Sequence, residues 1–242
     1  DADDDYAARD VLPPARPGEL PRRVLGETGA KVTILGLGCA YISHPSKAEM
    51  EAIEDKQQRR KALAPKARAE KTLETALEEG IRYFDTSRDY KVSEKRMGPV
   101  LKGVRDDIFL ATKVNYPDAK RCREEFETSL KLLQTDHVDL LYQHCVGVLI
   151  GRKGGKSDTE TMLAPGGSLE FLKEVKTAGL ARNIGISVHY QYEPTLTLLD
   201  ASDAYDVIMP FVNYVERARH NPETHAMEVA CKKRIGLAAI AR

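Results

Sequence analysis

The chain has 242 residues, 42% of them hydrophobic, which is enough for one large core, and α/β barrels of this length commonly form a single domain. Lysine plus arginine and aspartate plus glutamate balance at 37 each, with no run of like charge long enough for a binding tail, so nothing favours nucleic acid and the expected partner is a small molecule. The longest apolar runs, at 138–142 and 146–150, fall far short of the ~20 residues needed to span a bilayer, so the expected protein is soluble.

Residues 1–21 are acidic and proline-rich and read as an extended arm ahead of a barrel domain over 22–242. The chain begins at Asp1 without an initiator methionine and holds no n-region or h-region to decide the compartment, which is left unknown: cytoplasmic by default, with export after removal of a signal segment as the alternative. Val24-Leu25, a turn at Gly26-Glu27-Thr28-Gly29, and residues 31–35 read as a hairpin placed to plug the bottom of a barrel. It leads into a first strand ending in Gly36-Leu37-Gly38.

Residues 46–79 are charged and helical in pattern, with a break at Pro65. The first part, 47–60, reads as an inserted surface helix. The second places Ala69, Leu73, Ala76 and Leu77 on one face before Gly80 stops it. From Gly80 onward strand and helix alternate, the pattern of a parallel sheet wrapped by helices. Strands are expected at 81–85, 108–113, 138–143, 181–187, 206–211 and 237–241.

Between them, 121–133 carries Cys122, Phe126, Leu130 and Leu133 at helical spacing. Residues 168–176 show a cap at Ser168, inward Leu169, Leu172 and Val175, and Gly179 as terminator. The glycine-rich stretch 147–167 reads as a long loop, either shaping a substrate site or making a solvated excursion. With the first strand the count is about seven, where a closed barrel needs eight. Open strand edges then imply that the molecule extends past Arg242, or that the residues given are part of it. Cys39, Cys122, Cys145 and Cys231 are widely spaced with no C-x-x-C pair, so no metal and no disulfide framework is expected.

Four ionisable residues follow apolar, strand-like runs: Asp85 after 81–84, Tyr90 five residues on, Lys113 after 108–111, and His144 after 138–142. Parallel α/β barrels build their active sites from strand C-terminal ends, so these side chains are expected to converge. Singly, a strand-terminal lysine is more often a snorkelling surface residue and a lone histidine a hydrogen-bonded core residue. Together they form acid–base machinery, because a tyrosine beside a lysine is suited to giving up its proton. Lys113 as a Schiff-base nucleophile is the competing chemistry; Asp85 argues against it, since a carboxylate favours the charged amine.

Several stretches occur in one order: Leu25-Gly26-Glu27-Thr28-Gly29, Leu35-Gly36-Leu37-Gly38, and Gly80-Ile81-Arg82-Tyr83-Phe84-Asp85-Thr86-Ser87 with Tyr90 and Ser93-Glu94. Ala111-Thr112-Lys113, Ser129-Leu130-Lys131-Leu132-Leu133-Gln134-Thr135-Asp136, Asp139-Leu140 and His144 follow. This series resembles the aldo-keto reductase superfamily from Val24 to Arg242. The resemblance implies an α/β fold, a (β/α)8 TIM barrel with an N-terminal β-hairpin, here reaching only about the seventh strand. It implies reversible NAD(P)H-dependent reduction of a small aldehyde or ketone. Tyr90 would be the general acid, Lys113 an ammonium that eases its proton loss, Asp85 the carboxylate that keeps Lys113 charged, and His144 a donor to the carbonyl oxygen.

The same resemblance places Gly38, Cys39 and Ala40 beside the nicotinamide, Asp85 also at the cofactor, and Ser187 at the carboxamide. Val188 and Met209 stand where the family usually has asparagine and glutamine. NADP is the implied cofactor, with NAD as the alternative. The family's grip on the adenosine phosphate follows the eighth strand, and no residue here takes that role. Gly36-Leu37-Gly38 lacks the third glycine and the following helix of a dinucleotide fingerprint. Tyr41 and the 147–167 loop are the expected selectivity elements. The alternative function is a cofactor-binding regulatory or assembly subunit, built on the same barrel without turnover.

Overall fold

The computed structural model describes residues 11–12, 20–42, 65–146, 159–188, 193–212 and 227–240. The surface helix expected at 47–60 and residues 147–158 of the expected loop lie outside the described residues. A small antiparallel sheet comes first, from β1 (Val11–Leu12), β2 (Arg22–Val24) and β3 (Lys31–Thr33). A parallel sheet follows, from β4 (Gly36–Gly38), β5 (Tyr83–Asp85), β6 (Phe109–Val114), β7 (Val138–Val146), β8 (Ala181–Val188), β9 (Val207–Met209) and β10 (Gly236–Leu237). Its strands lie in chain order, each paired with the next, and curl into a half-barrel.

The described helices are α1 (Pro65–Glu78), α2 (Ser93–Leu101), α3 (Ala119–Leu133), α4 (Thr159–Leu163), α5 (Ser168–Thr177), α6 (Glu193–Ala201) and α7 (Glu228–Lys232). Strand alternation divides the core in two. Phe84, Leu110, Leu141, Ile184, Ile186 and Ile208 face the helices, where Leu73, Met97, Phe126, Phe171 and Leu198 meet them. Tyr83, Phe109, Ala111, Leu140, Tyr142, Val207 and Met209 form a second cluster inside the curl, and Leu25 and Val32 of the hairpin close it. Gly26, at φ +55°, lies so near Gly236 that a Cβ would sit 2.3 Å from its nitrogen, which fixes the hairpin under β10.

The hairpin differs from expectation in its second strand. Antiparallel pairing stops at Thr33, Ile34 and Leu35 are exposed, and the parallel strand starts afresh at Gly36. A strand also lies within the expected arm, since Val11 and Leu12 pair with Arg23 and Arg22. β5 begins two residues later than expected because the Ile81 amide still bonds Ala76 O at 2.9 Å, closing α1. β9 ends at Met209, ahead of Pro210, which has no amide hydrogen to continue the ladder.

α3 is capped by Asp118, whose carboxylate accepts from the Arg121 amide at 3.0 Å, and it ends at Gln134 in the left-handed region. α5 has Gly167 as its N-cap, not Ser168. A Cβ there would meet Thr161 O at 2.3 Å, because α4, inside the stretch expected as loop, packs against that turn through buried Met162. Neither α2 nor α6 carries a clear apolar stripe in sequence. α2 contains Gly98 and Pro99 and buries Glu94, and a Cβ on Gly98 would meet Leu132 O of α3 at 2.2 Å.

Candidate active site

Parallel registry brings the ends of β5, β6 and β7 together. Asp85 opposes Ala111, and Lys113 opposes Tyr142 one layer higher. Beyond Asp85 the chain forms consecutive turns, with Tyr90 N donating to Ser87 O at 3.0 Å and Ser93 N to Tyr90 O at 2.9 Å. The Arg88 amide bonds Lys113 O at 3.3 Å, pinning this loop to β6 and carrying Tyr90 over the strand ends. Ser93 Oγ donates to Cys39 O at 2.8 Å and lies 2.9 Å from Thr86 Oγ1, tying β4, β5 and α2 together.

Lys113 is fully buried; its Nζ pairs with Asp85 Oδ1 and donates to Thr86 O at 2.7 Å. The same nitrogen lies 5.2 Å from the Tyr90 ring centroid and 5.7 Å from that of Tyr142. The Tyr90 and His144 rings meet edge to face, with centroids 5.6 Å apart at 81°. Asp85, Tyr90, Lys113 and His144 therefore share one small volume.

β7 has an irregularity there: its pairing with β8 shifts between Gln143 and Val146, and Cys145 has φ 55°. The bulge leaves His144 on the inner side and returns Val146 to the helix-facing cluster. His144 Nδ1 lies 2.8 Å from Asn115 Oδ1 and 3.0 Å from Ser87 Oγ. Beneath the site, the buried hydroxyls of Tyr83 and Tyr142 lie 3.2 Å apart. Gly185 leaves room for the Tyr142 ring, 2.8 Å from where a Cβ would stand.

Burial pushes the Asp85 carboxyl above its ordinary value, against the opposing pull of Lys113. The Tyr90 phenol is also held above its ordinary range, by burial first and then by the negative charge of Asp85. Lys113 directs its hydrogens to Asp85 and Thr86, and among the described residues no hydrogen bond joins Nζ to Tyr90 Oη.

The expected cofactor residues line the same strand ends. Gly38 ends β4, and a Cβ there would meet nothing within 4 Å. Cys39 is buried, bonded from its amide to Asp85 O at 2.8 Å, and burial raises its thiol, so it is an inert wall. Ala40 is half-buried beside it. Ser187 is buried and its Oγ accepts from the Cys145 amide at 3.2 Å. Of the family departures, Met209 points into the curl whereas Val188 packs on the helix side. A buried carboxylate oxygen, Asp85 Oδ2, has no hydrogen-bond partner among the described residues. That acceptor and the open space at Gly38 fit a nicotinamide riboside.

The roles of four residues, Ser87, Glu94, Asn115 and Glu125, are not evident from the sequence. Asn115 and Ser87 hold His144, and Glu125 of α3 in turn holds Asn115, accepting from its amide nitrogen Nδ2 at 3.0 Å and its backbone N–H at 2.6 Å. Glu94, also buried, pairs with Arg88 and accepts from Thr112 Oγ1 at 2.7 Å. Asn115 stands two residues past Lys113, the spacing that returns a strand side chain to the same face.

The model of the aldo/keto reductase family matches residues 56–241. The chain belongs to the aldo/keto reductase family. It is 32% identical over 147 residues to methylglyoxal reductase DkgA of Escherichia coli K12, covering 60% of this chain and 47% of that protein. It is 32% identical over 182 residues to L-galactose dehydrogenase of Arabidopsis thaliana, covering 70% and 49%. The chain thus spans about half the length of these curated relatives. The holo form of an aldo-keto reductase from Bacillus halodurans superposes with a TM-score of 0.66 at 25% identity, over 90% of this chain and 65% of that one. The hairpin lies N-terminal to the family match, and among the described residues no helix is long and apolar enough to cross a membrane.

Proposed function

We propose that this aldo/keto reductase uses NADPH, with NADH as the alternative donor, to reduce an aldehyde or ketone reversibly to the alcohol, with Tyr90 as general acid. The observation that supports this reading is the convergence of Tyr90, His144 and the buried Lys113–Asp85 pair beside the open backbone of Gly38. A bound reduced nicotinamide supplies the hydride. The residues proposed to hold it are Gly38, Cys39, Ala40, Ser187 and the free oxygen of Asp85.

The resting state keeps Tyr90 protonated, because burial and Asp85 oppose a phenolate, so the acid is loaded at neutral pH. As negative charge develops on the carbonyl oxygen, Tyr90 Oη transfers its proton there. The phenolate left behind faces the nearby Lys113 ammonium, which stabilises it. Asp85 keeps that ammonium charged and placed. His144, whose ring meets that of Tyr90 edge to face, orients the substrate oxygen.

The test mixes the full chain with NADPH or NADH and methylglyoxal, the compound in the name of one relative, and follows loss of the reduced nicotinamide. Cofactor-dependent turnover that falls at least ~100-fold in Tyr90→Phe supports the reading. Nucleotide binding without turnover toward a panel of aldehydes and ketones would favour the non-catalytic subunit. Met209 in the inner cluster, where the family usually has glutamine, is the feature that suits this second reading.

A further inference from the structure

We propose that Asn115, anchored by Glu125, is a positioning residue that fixes the His144 proton on Nδ1, so that the neutral ring presents Nε2 as an acceptor and donates to a carbonyl oxygen only as imidazolium. The inference deepens the reductase reading of this site and rests on it for its consequence, though its geometry stands separately.

Donor and acceptor types fix the tautomer. An ionised carboxylate only accepts, so the side-chain group of Asn115 facing Glu125 Oε1 at 3.0 Å is the amide nitrogen. Glu125 Oε2 accepts the Asn115 backbone N–H at 2.6 Å, so both carboxylate oxygens are engaged by one residue and the amide orientation is fixed. The amide oxygen then faces His144 Nδ1 at 2.8 Å, and an amide oxygen has no hydrogen to give. Nδ1 must donate, and a neutral imidazole with hydrogen on Nδ1 carries a lone pair on Nε2.

Ser87 Oγ, 3.0 Å from Nδ1, is compatible with this state because a hydroxyl accepts as well as donates. It does not select the tautomer; Asn115 does. Other charged or titratable groups surround the ring. Tyr90 stands edge-on with Lys113 and Asp85 behind it, Cys145 is next on the strand, and Arg88 and Asp89 act on Glu125. The consequence is directional: a neutral His144 accepts the hydroxyl of an alcohol, whereas hydrogen bonding to a carbonyl requires the ring to be charged.

The test is nitrogen-15 NMR of the full chain with labelled histidine, near pH ~8.5, about two units above the usual histidine value of ~6.5. His144→Gln identifies the signals. The expected spectrum has a pyrrole-type Nδ1 and a pyridine-type Nε2, with the pattern moving toward the Nε2-protonated form in Asn115→Leu. Glu125→Gln, whose amide no longer dictates which end of Asn115 faces His144, should show a mixture and decides the matter if Asn115→Leu does not fold. A pyrrole-type Nε2 in the unsubstituted chain overturns the proposal, as does an unchanged pattern in Glu125→Gln together with any folded Asn115→Leu. The spectrum needs neither substrate nor cofactor, so the expected nitrogens in a chain without turnover would overturn the reductase reading alone.

Discussion

Lys113→Met removes the cation from a buried pair while keeping the length of the side chain. Asp85 then loses its partner on Oδ1, Oδ2 has none among the described residues, and Thr86 O loses its 2.7 Å donor. Breaking a buried ion pair from one side costs about 3–5 kcal/mol. With a urea slope of about 3 kcal/mol/M, the unfolding midpoint should fall by about 1–1.7 M at pH 8. The sign of the pH dependence follows from Asp85. Its folded carboxyl is already raised by burial, and Lys113 is the main influence holding it down. Without Lys113 the folded chain keeps a proton where an unfolded aspartate, near ~3.9, has lost it. The Asp85 contribution to the variant's stability is therefore greatest below ~4 and is lost as pH rises through the folded value. Adding Asp85→Asn removes the buried charge, so the double variant should regain part of the loss and lose this added pH dependence. A midpoint within ~0.3 M of the parent at pH 8, or a double variant with the same pH profile as the single, would refute the reasoning.

Tyr90→Phe should lower kcat by at least ~100-fold while nicotinamide nucleotide binding, read by fluorescence titration, stays within about twofold; unchanged turnover would remove the acid from the scheme. Gly185→Ala should destabilise by about 1–3 kcal/mol in urea unfolding, because its Cβ would stand 2.4 Å from Val207 O and 2.8 Å from the Tyr142 ring. Arg88→Ala should cost about 1–3 kcal/mol at pH 8 and less at pH 5. Burial raises the Glu94 carboxyl and Arg88 helps to hold it down, so protonation relieves the unpaired charge. Equal losses at both pH values would show that Arg88 acts through packing.

Strands β5 to β9 were legible because each is a short apolar run closed by a turn or helix signal, whereas the strand expected at 237–241 is found as β10 at Gly236–Leu237; the convergence of the four acid–base residues followed from strand polarity. Tertiary contacts overrode local signals elsewhere. Gly167 displaced Ser168 as a cap because α4 packs too closely for a side chain, and α2 hid its inner face behind Gly98 and Glu94. The support of His144 was invisible for another reason: Ser87, Asn115 and Glu125 come from three separate stretches that only the fold brings together. The tyrosine was identified by motif, but its direction of shift depended on burial, which no motif encodes.

The most direct test of the acid–base centre is a side-by-side measurement of NADPH oxidation by methylglyoxal, with the unsubstituted chain and Tyr90→Phe at equal nucleotide saturation. Aldehyde-dependent oxidation by the first and a loss of at least ~100-fold in the second are expected if Tyr90 is the acid. Equal rates in the two would contradict it.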